Sequence, residues 1–81
     1  MATFTVYSTP RCQQCKATSR ELESLNIPFD YIDITTDEAS AKHARSLGYT
    51  GAPVVVAPNG EHWTGFRPDK IQEHAKELAT V

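Results

Sequence analysis

Positive charge is sparse in this chain and never gathers: 8 Lys and Arg face 10 Asp and Glu, for a net charge of −2. A nucleic-acid footprint is basic and clustered, so no nucleic-acid partner is expected. No apolar run approaches the roughly 18 residues of a membrane-spanning helix, so no membrane is expected either. The opening "MATFTVYSTP" has no cation ahead of its apolar residues. That predicts no secretory signal and points to the cytoplasm, where thiols are kept reduced. Histidine occurs three times, as His43, His62 and His74, with no H-x-x-x-H spacing to complete a four-ligand zinc site. Repeats, linkers and low-complexity tracts are lacking too. At 81 residues the chain makes one domain, 1–81, with a modest core.

What is present is patterned. Residues 3–8 alternate, with Phe4 and Val6 on one face and Thr3, Thr5 and Tyr7 on the other, which predicts a strand ended by Thr9-Pro10. From Gln13 to about Asn26, Cys15, Ala17, Leu22 and Leu25 stand among charged residues and predict a helix with one buried stripe. "PFDYIDI" reads as a second strand. Thr36 or Asp37 caps a second helix, with Asp37 and Glu38 in its first turn, Lys42, His43 and Arg45 later and Gly48 at its stop. "APVVVA" at 52–57 is a β-branched run suited to a buried central strand. "PNG" turns the chain, and "EHWTGF" pairs back as a hairpin arm. Pro68 opens a last helix whose apolar face is Ile71, Ala75, Leu78 and Val81. The order β-α-β-α-β-β-α predicts an α/β fold: a right-handed parallel crossover, then an antiparallel hairpin, in a four-stranded mixed sheet flanked by three helices.

Both cysteines, Cys12 and Cys15, fall where the first strand meets the first helix, in "CQQC". Residues i and i+3 of a helical turn are neighbours, close enough for a disulfide to open and close with little backbone movement. The unsatisfied N–H groups and positive dipole end of a helix favour a thiolate, and Cys12 is the better placed to be one. Cys15 points into the first turn. Arg11 and Lys16 add nearby charge, either as tuning groups or as ordinary surface cations, and Gln13 and Gln14 read as solvent-facing spacers. Reversible dithiol exchange is the favoured chemistry. A structural disulfide, a zinc knuckle and an iron–sulfur site shared between two chains stay open as alternatives.

Three stretches taken together, "CQQC", "GAPVVV" and "HWTGFRPDKI", make the chain resemble the NrdH-redoxins, glutaredoxin-like proteins of the thioredoxin-like fold. The resemblance runs along essentially the whole chain. It implies a cis Ala52–Pro53 bond in a loop facing the cysteines, with the Ala52 backbone available to an extended peptide. It also implies Cys12 as attacking thiolate, Cys15 as resolving thiol and no bound cofactor. The implied partners are thioredoxin reductase as reductant and the large subunit of class Ib ribonucleotide reductase as electron acceptor, served by a monomer. Glutathione-using glutaredoxins carry G-G-x-[ST]-D where this chain has "TGFRPD". Thr9 also stands where a basic residue is frequent, so glutathione is not expected to bind tightly. Gly51 replaces a Gln common in the NrdH pattern. Trp63 is expected either in the core or on a docking surface, Phe66 on a docking surface with the reductase, and Arg67 either pinning its loop or in solvent.

Overall fold

In the computed structural model, residues 3–49 and 51–79 are described, the last three by backbone alone. The elements are β1 (Phe4–Ser8), α1 (Gln13–Ser24), β2 (Phe29–Asp33), α2 (Glu38–Ser46), β3 (Val54–Val56), β4 (His62–Thr64) and α3 (Pro68–Ala79). The expected order and mixed sheet are both present, with strands arranged β2-β1-β3-β4. β1 runs parallel to β2, with Val6 opposite Tyr31, and antiparallel to β3, with Val6 opposite Val55. β4 closes the hairpin, with Trp63 opposite Val55. β3 is shorter than the 52–57 run because Pro53 has no N–H to give a ladder and Ala57 is already in the turn, accepting from Gly60.

Alternation sorts the side chains into two cores. Phe4, Val6, Val55 and Trp63 point to the face covered by Leu22 of α1 and Ile71 of α3. Tyr7 and Val54 point the other way, under Ala44 of α2. Tyr7 is therefore buried rather than solvent-facing; burial, and then the charge of Asp37, push its hydroxyl pKa up. The stripe of α1 differs from the expected one: Cys15, Thr18 and Leu22 are buried. Helical phase places Thr18, not Ala17, on that line, and its hydroxyl is satisfied by the Gln14 carbonyl at 2.8 Å.

The ends of α1 and α2 follow local chemistry. Leu25 caps α1 and is exposed, while Asn26 turns left-handed at φ 57°. The Asn26 and Ile27 N–H groups then bond back to Glu23 and Leu22. This is a Schellman ending whose apolar contact is Ile27 on Leu22. Asp37, not Thr36, caps α2, accepting from the Ser40 N–H at 3.2 Å and hydroxyl at 2.9 Å. Gly48 ends α2 at φ 95°. In α3, Ile71 is buried and Ala75 half-buried, as the apolar face requires; the Leu78 side chain and Val81 lie outside the described residues.

Trp63 is 5% exposed, stacked on His74 at 5.6 Å and edge-on to Phe4 at 6.3 Å. Among the described residues its buried Nε1–H finds no acceptor. His74 lies under it with Nε2 3.3 Å from Glu61, which also holds Lys70 at 2.9 Å. Two predictions follow from these contacts. Trp63→Ala should cost about 3–5 kcal/mol in urea denaturation. Trp63→Phe should cost clearly less, because it keeps an aromatic body and deletes the unpartnered donor; equal losses would contradict this packing. Hydrogen bonds from Ser40 hold the Asp37 carboxyl below its ordinary value of 3.8. Its contribution is then full above that value and lost as pH falls through the lower folded one. Wild type should therefore lose melting temperature relative to Asp37→Asn between about pH 5 and about pH 2, and parallel curves would refute the linkage.

Candidate active site

The chain leaves the sheet at Ser8 and enters α1 at Gln13. Within that span Arg11 adopts a left-handed backbone at φ 62°, a costly conformation for a non-glycine residue. Cys12 follows as the N-cap of α1, extended at φ −89°, ψ 106°. Its Sγ accepts from the Cys15 N–H at 3.0 Å. A sulfur thus takes the place in which a Ser or Asp oxygen usually satisfies a first-turn donor. The Cys12 carbonyl accepts from the Lys16 N–H, the first bond of the helix. The first turn of α1 contains no acidic residue to oppose negative charge on that sulfur.

Cys12 and Cys15 are joined in a disulfide, with Cα atoms 5.2 Å apart. The two residues differ in access: Cys15 is 0% exposed, whereas Cys12 is half-buried. Arg11, Gln13 and Lys16 are exposed around them.

Tyr7 stands opposite Val54, so β3 enters the sheet beside the β1–α1 junction. The Ala52–Pro53 bond just ahead of it is cis, as the resemblance implies. Pro53 is buried and Ala52 half-buried. The Pro53 carbonyl accepts twice from the end of β4: from the Thr64 hydroxyl at 2.9 Å and from the Gly65 N–H at 3.0 Å. The next donor along, the Phe66 N–H, goes to Gln14 Oε1 at 3.3 Å. Residues 64–66 therefore join the proline loop to the cysteine turn. Gly65 sits at φ 84°, and a Cβ there would stand 3.3 Å from the same Gln14 oxygen.

The structure separates the remaining site candidates. Phe66 is 37% exposed and lies at the cysteine turn through its bond to Gln14. Trp63 is in the core and does not reach the surface, so it is removed from the docking residues. Period-two alternation explains why: with Val55 inward, its partner Trp63 must also point inward, leaving His62 and Thr64 outside. Arg67 grips Asp69, Nε to Oδ1 at 3.2 Å and Nη2 to Oδ2 at 3.0 Å. That hydrogen-bonded guanidinium holds the Asp69 carboxyl below its ordinary range. Arg67 thus braces the first turn of α3 rather than the sulfurs. Gln14 is not the free spacer expected of it, and Thr64 joins the site through its hydroxyl. The only local signal for Thr64 is a hydroxyl ahead of a glycine at a strand end; Gln14 reaches 52 positions along the chain, which no local pattern reveals. Among the described residues, no three or more His, Cys, Asp or Glu gather to hold a metal, and no helix is long and apolar enough to cross a membrane.

Comparison with known proteins agrees with this geometry. The glutaredoxin family model matches residues 4–63. The glutaredoxin-like protein NrdH of Escherichia coli K12 is 37% identical over 68 residues, covering 84% of this chain and 83% of that protein. The SPbeta prophage-derived thioredoxin-like protein YosR of Bacillus subtilis is 35% identical over 74 residues, covering 85% and 89%. The solved structure of the E. coli NrdH-redoxin superposes with a TM-score of 0.81 at 35% identity, over 88% of this chain and 92% of that one. With the cysteine pair at the head of α1 and this sheet behind it, the chain belongs to the glutaredoxin family, among its NrdH-redoxins, and is a thiol–disulfide oxidoreductase of the thioredoxin-like fold.

Proposed function

We propose that this chain is a cytoplasmic, single-domain, monomeric electron donor. It is reduced by NADPH-dependent thioredoxin reductase and passes its electrons to the disulfide of the class Ib ribonucleotide reductase large subunit. The observation that carries the reading is the asymmetry of the cysteine pair: a half-buried Cys12 at the N-cap of α1 beside a fully buried Cys15.

In the reduced protein, the helix N-terminus and the Cys15 N–H stabilise negative charge on Cys12 Sγ. That thiolate attacks one sulfur of the partner's disulfide. A Cys12–partner bond forms, the partner's S–S bond breaks and its second sulfur leaves as a thiolate. Cys15, deprotonated, then attacks Cys12 Sγ, closing the intramolecular disulfide and releasing the first partner sulfur as a thiolate. Two electrons have moved to the partner, and its two thiolates take up two protons. Thioredoxin reductase runs the exchange in the opposite direction. No cofactor is needed on this chain.

Partner recognition falls to the surface around the disulfide: Arg11, Gln13, Ala52 and Phe66, with Gln14 bonded to the Phe66 N–H. Phe66 is the apolar anchor of this surface. Arg67 contributes by keeping the start of α3 in place. The comparison protein from E. coli is described as a glutaredoxin-like protein with a thioredoxin-like activity profile, which supports the same division of labour here. Two features weigh against glutathione as reductant. The Phe66 N–H is already engaged by Gln14, and Pro68 offers no N–H at all.

The test is reduction of insulin disulfides with NADPH and thioredoxin reductase. Turnover is expected with wild type and should vanish with Cys12→Ser. Cys15→Ser should complete the first attack and stall as a mixed disulfide, visible by mass spectrometry. Turnover driven by glutathione and glutathione reductase, with none from thioredoxin reductase, would overturn the proposal.

A further inference from the structure

We infer that Gln14 is a positioning residue: its side-chain carbonyl fixes the exposed Phe66 segment against the cysteine turn and so sets where the Phe66 ring meets a protein partner. The inference rests on the reading of Phe66 as the partner's anchor.

Residues 64, 65 and 66 present consecutive donors, the Thr64 hydroxyl and the Gly65 and Phe66 N–H groups. The first two end on the Pro53 carbonyl and the third on Gln14 Oε1. The segment is thus held from two sides, and only one of those holds comes from the helix that carries the sulfurs. Leu25, Tyr31 and Phe66 are the large apolar side chains that stand exposed among the described residues. Of the three, Phe66 has its own N–H bonded to a side chain lying between Cys12 and Cys15 in the chain. Gly65 fits the same purpose. Its left-handed φ of 84° turns the segment toward α1, and a side chain there would crowd the Gln14 oxygen at 3.3 Å. Gln14 and Phe66 are both exposed, so the bond adds little to global stability; what it removes is the freedom of residues 65–67. A partner that docks on Phe66 then meets an ordered ring rather than one it must order itself.

Two measurements on Gln14→Ala test this, one of them independent of any partner. By NMR, the backbone order parameters of Phe66 and its neighbours should fall from about 0.85 toward about 0.6 in the variant. With thioredoxin reductase and NADPH, the KM for the redoxin should rise about 2- to 10-fold, the range of one neutral hydrogen bond. That rise should exceed any change in the rate at which the reduced protein attacks the small disulfide 5,5′-dithiobis(2-nitrobenzoic acid). Because Gln14 acts through Phe66, the Gln14→Ala/Phe66→Ala double variant should be no worse than Phe66→Ala alone. Unchanged order parameters, additive KM effects, or equal losses with protein and small disulfide would each overturn the inference. If Phe66→Ala leaves KM at the wild-type value, the anchor reading fails, and the inference built on it fails with it. If Phe66→Ala raises KM and Gln14→Ala does not, only the positioning role is lost.

Discussion

Residues 9–12 must carry the chain from the interior of the sheet to the head of a helix, and that short passage governs the chemistry. β1 is a central strand, paired with β2 on one side and β3 on the other, so its end cannot shift without breaking two ladders. The helix is held against the sheet by Leu22, which sits in the same core as Phe4 and Val6. Between these fixed ends Arg11 takes a left-handed backbone and Cys12 becomes the N-cap. The strand end and the helix thus place the Cys12 sulfur at the first-turn N–H of Cys15. The helix also imposes the unequal access of the pair. Residue i+3 of a helix packed on a sheet falls on its inner side, so Cys15 is buried for the same reason that Thr18 and Leu22 are.

The second organising element is a single carbonyl. Pro53 O receives the Thr64 hydroxyl and the Gly65 N–H, tying the start of β3 to the end of β4 just past their ladder. A proline is suited to this place. Its ring has no N–H that the ladder would leave unpaired, while its carbonyl keeps both lone pairs. The outcome is three chain segments held round one disulfide by a few polar contacts. The hydrophobic work is done elsewhere, in the cores on the two faces of the sheet.

How much of this could be read from the chain depended on whether the cause was local. The seven elements were legible because strand alternation, capping residues and turn residues act within a few positions. The parallel crossover and antiparallel hairpin followed from the order of the elements. The cysteine pair was legible for the same reason, since Cys12 and Cys15 both fall at one strand–helix junction. Where the structure departs from the pattern, the cause lies elsewhere. Ala17 is apolar, yet helical phase places Thr18 on the buried stripe of α1, and the Thr18 hydroxyl has a carbonyl within its own helix to bond. Leu25 is apolar too, but the left-handed turn at Asn26 ends the helix there and sends Ile27 into the core instead. The tasks of Gln14 and Thr64 depend on Phe66 and Pro53, residues distant in sequence, and no periodicity carries that information.

The stretch "WTGFRPD" shows why a motif recognised as one unit need not perform one task. Its residues divide by direction. Trp63 points inward, packed on His74 and Phe4, and belongs to stability. Thr64 and Gly65 secure the proline loop. Phe66 points outward beside the cysteine turn, and Arg67 with Asp69 braces the head of α3. Strand alternation alone forces the first division, because Trp63 and the Thr64 hydroxyl cannot occupy the same face. The left-handed turn at Gly65 makes the second, releasing the chain from the sheet so that Phe66 stands exposed. An inward aromatic and an outward one three residues apart therefore serve different ends. The first packs the sheet against α3, and the second leaves apolar area exposed beside the cysteine turn.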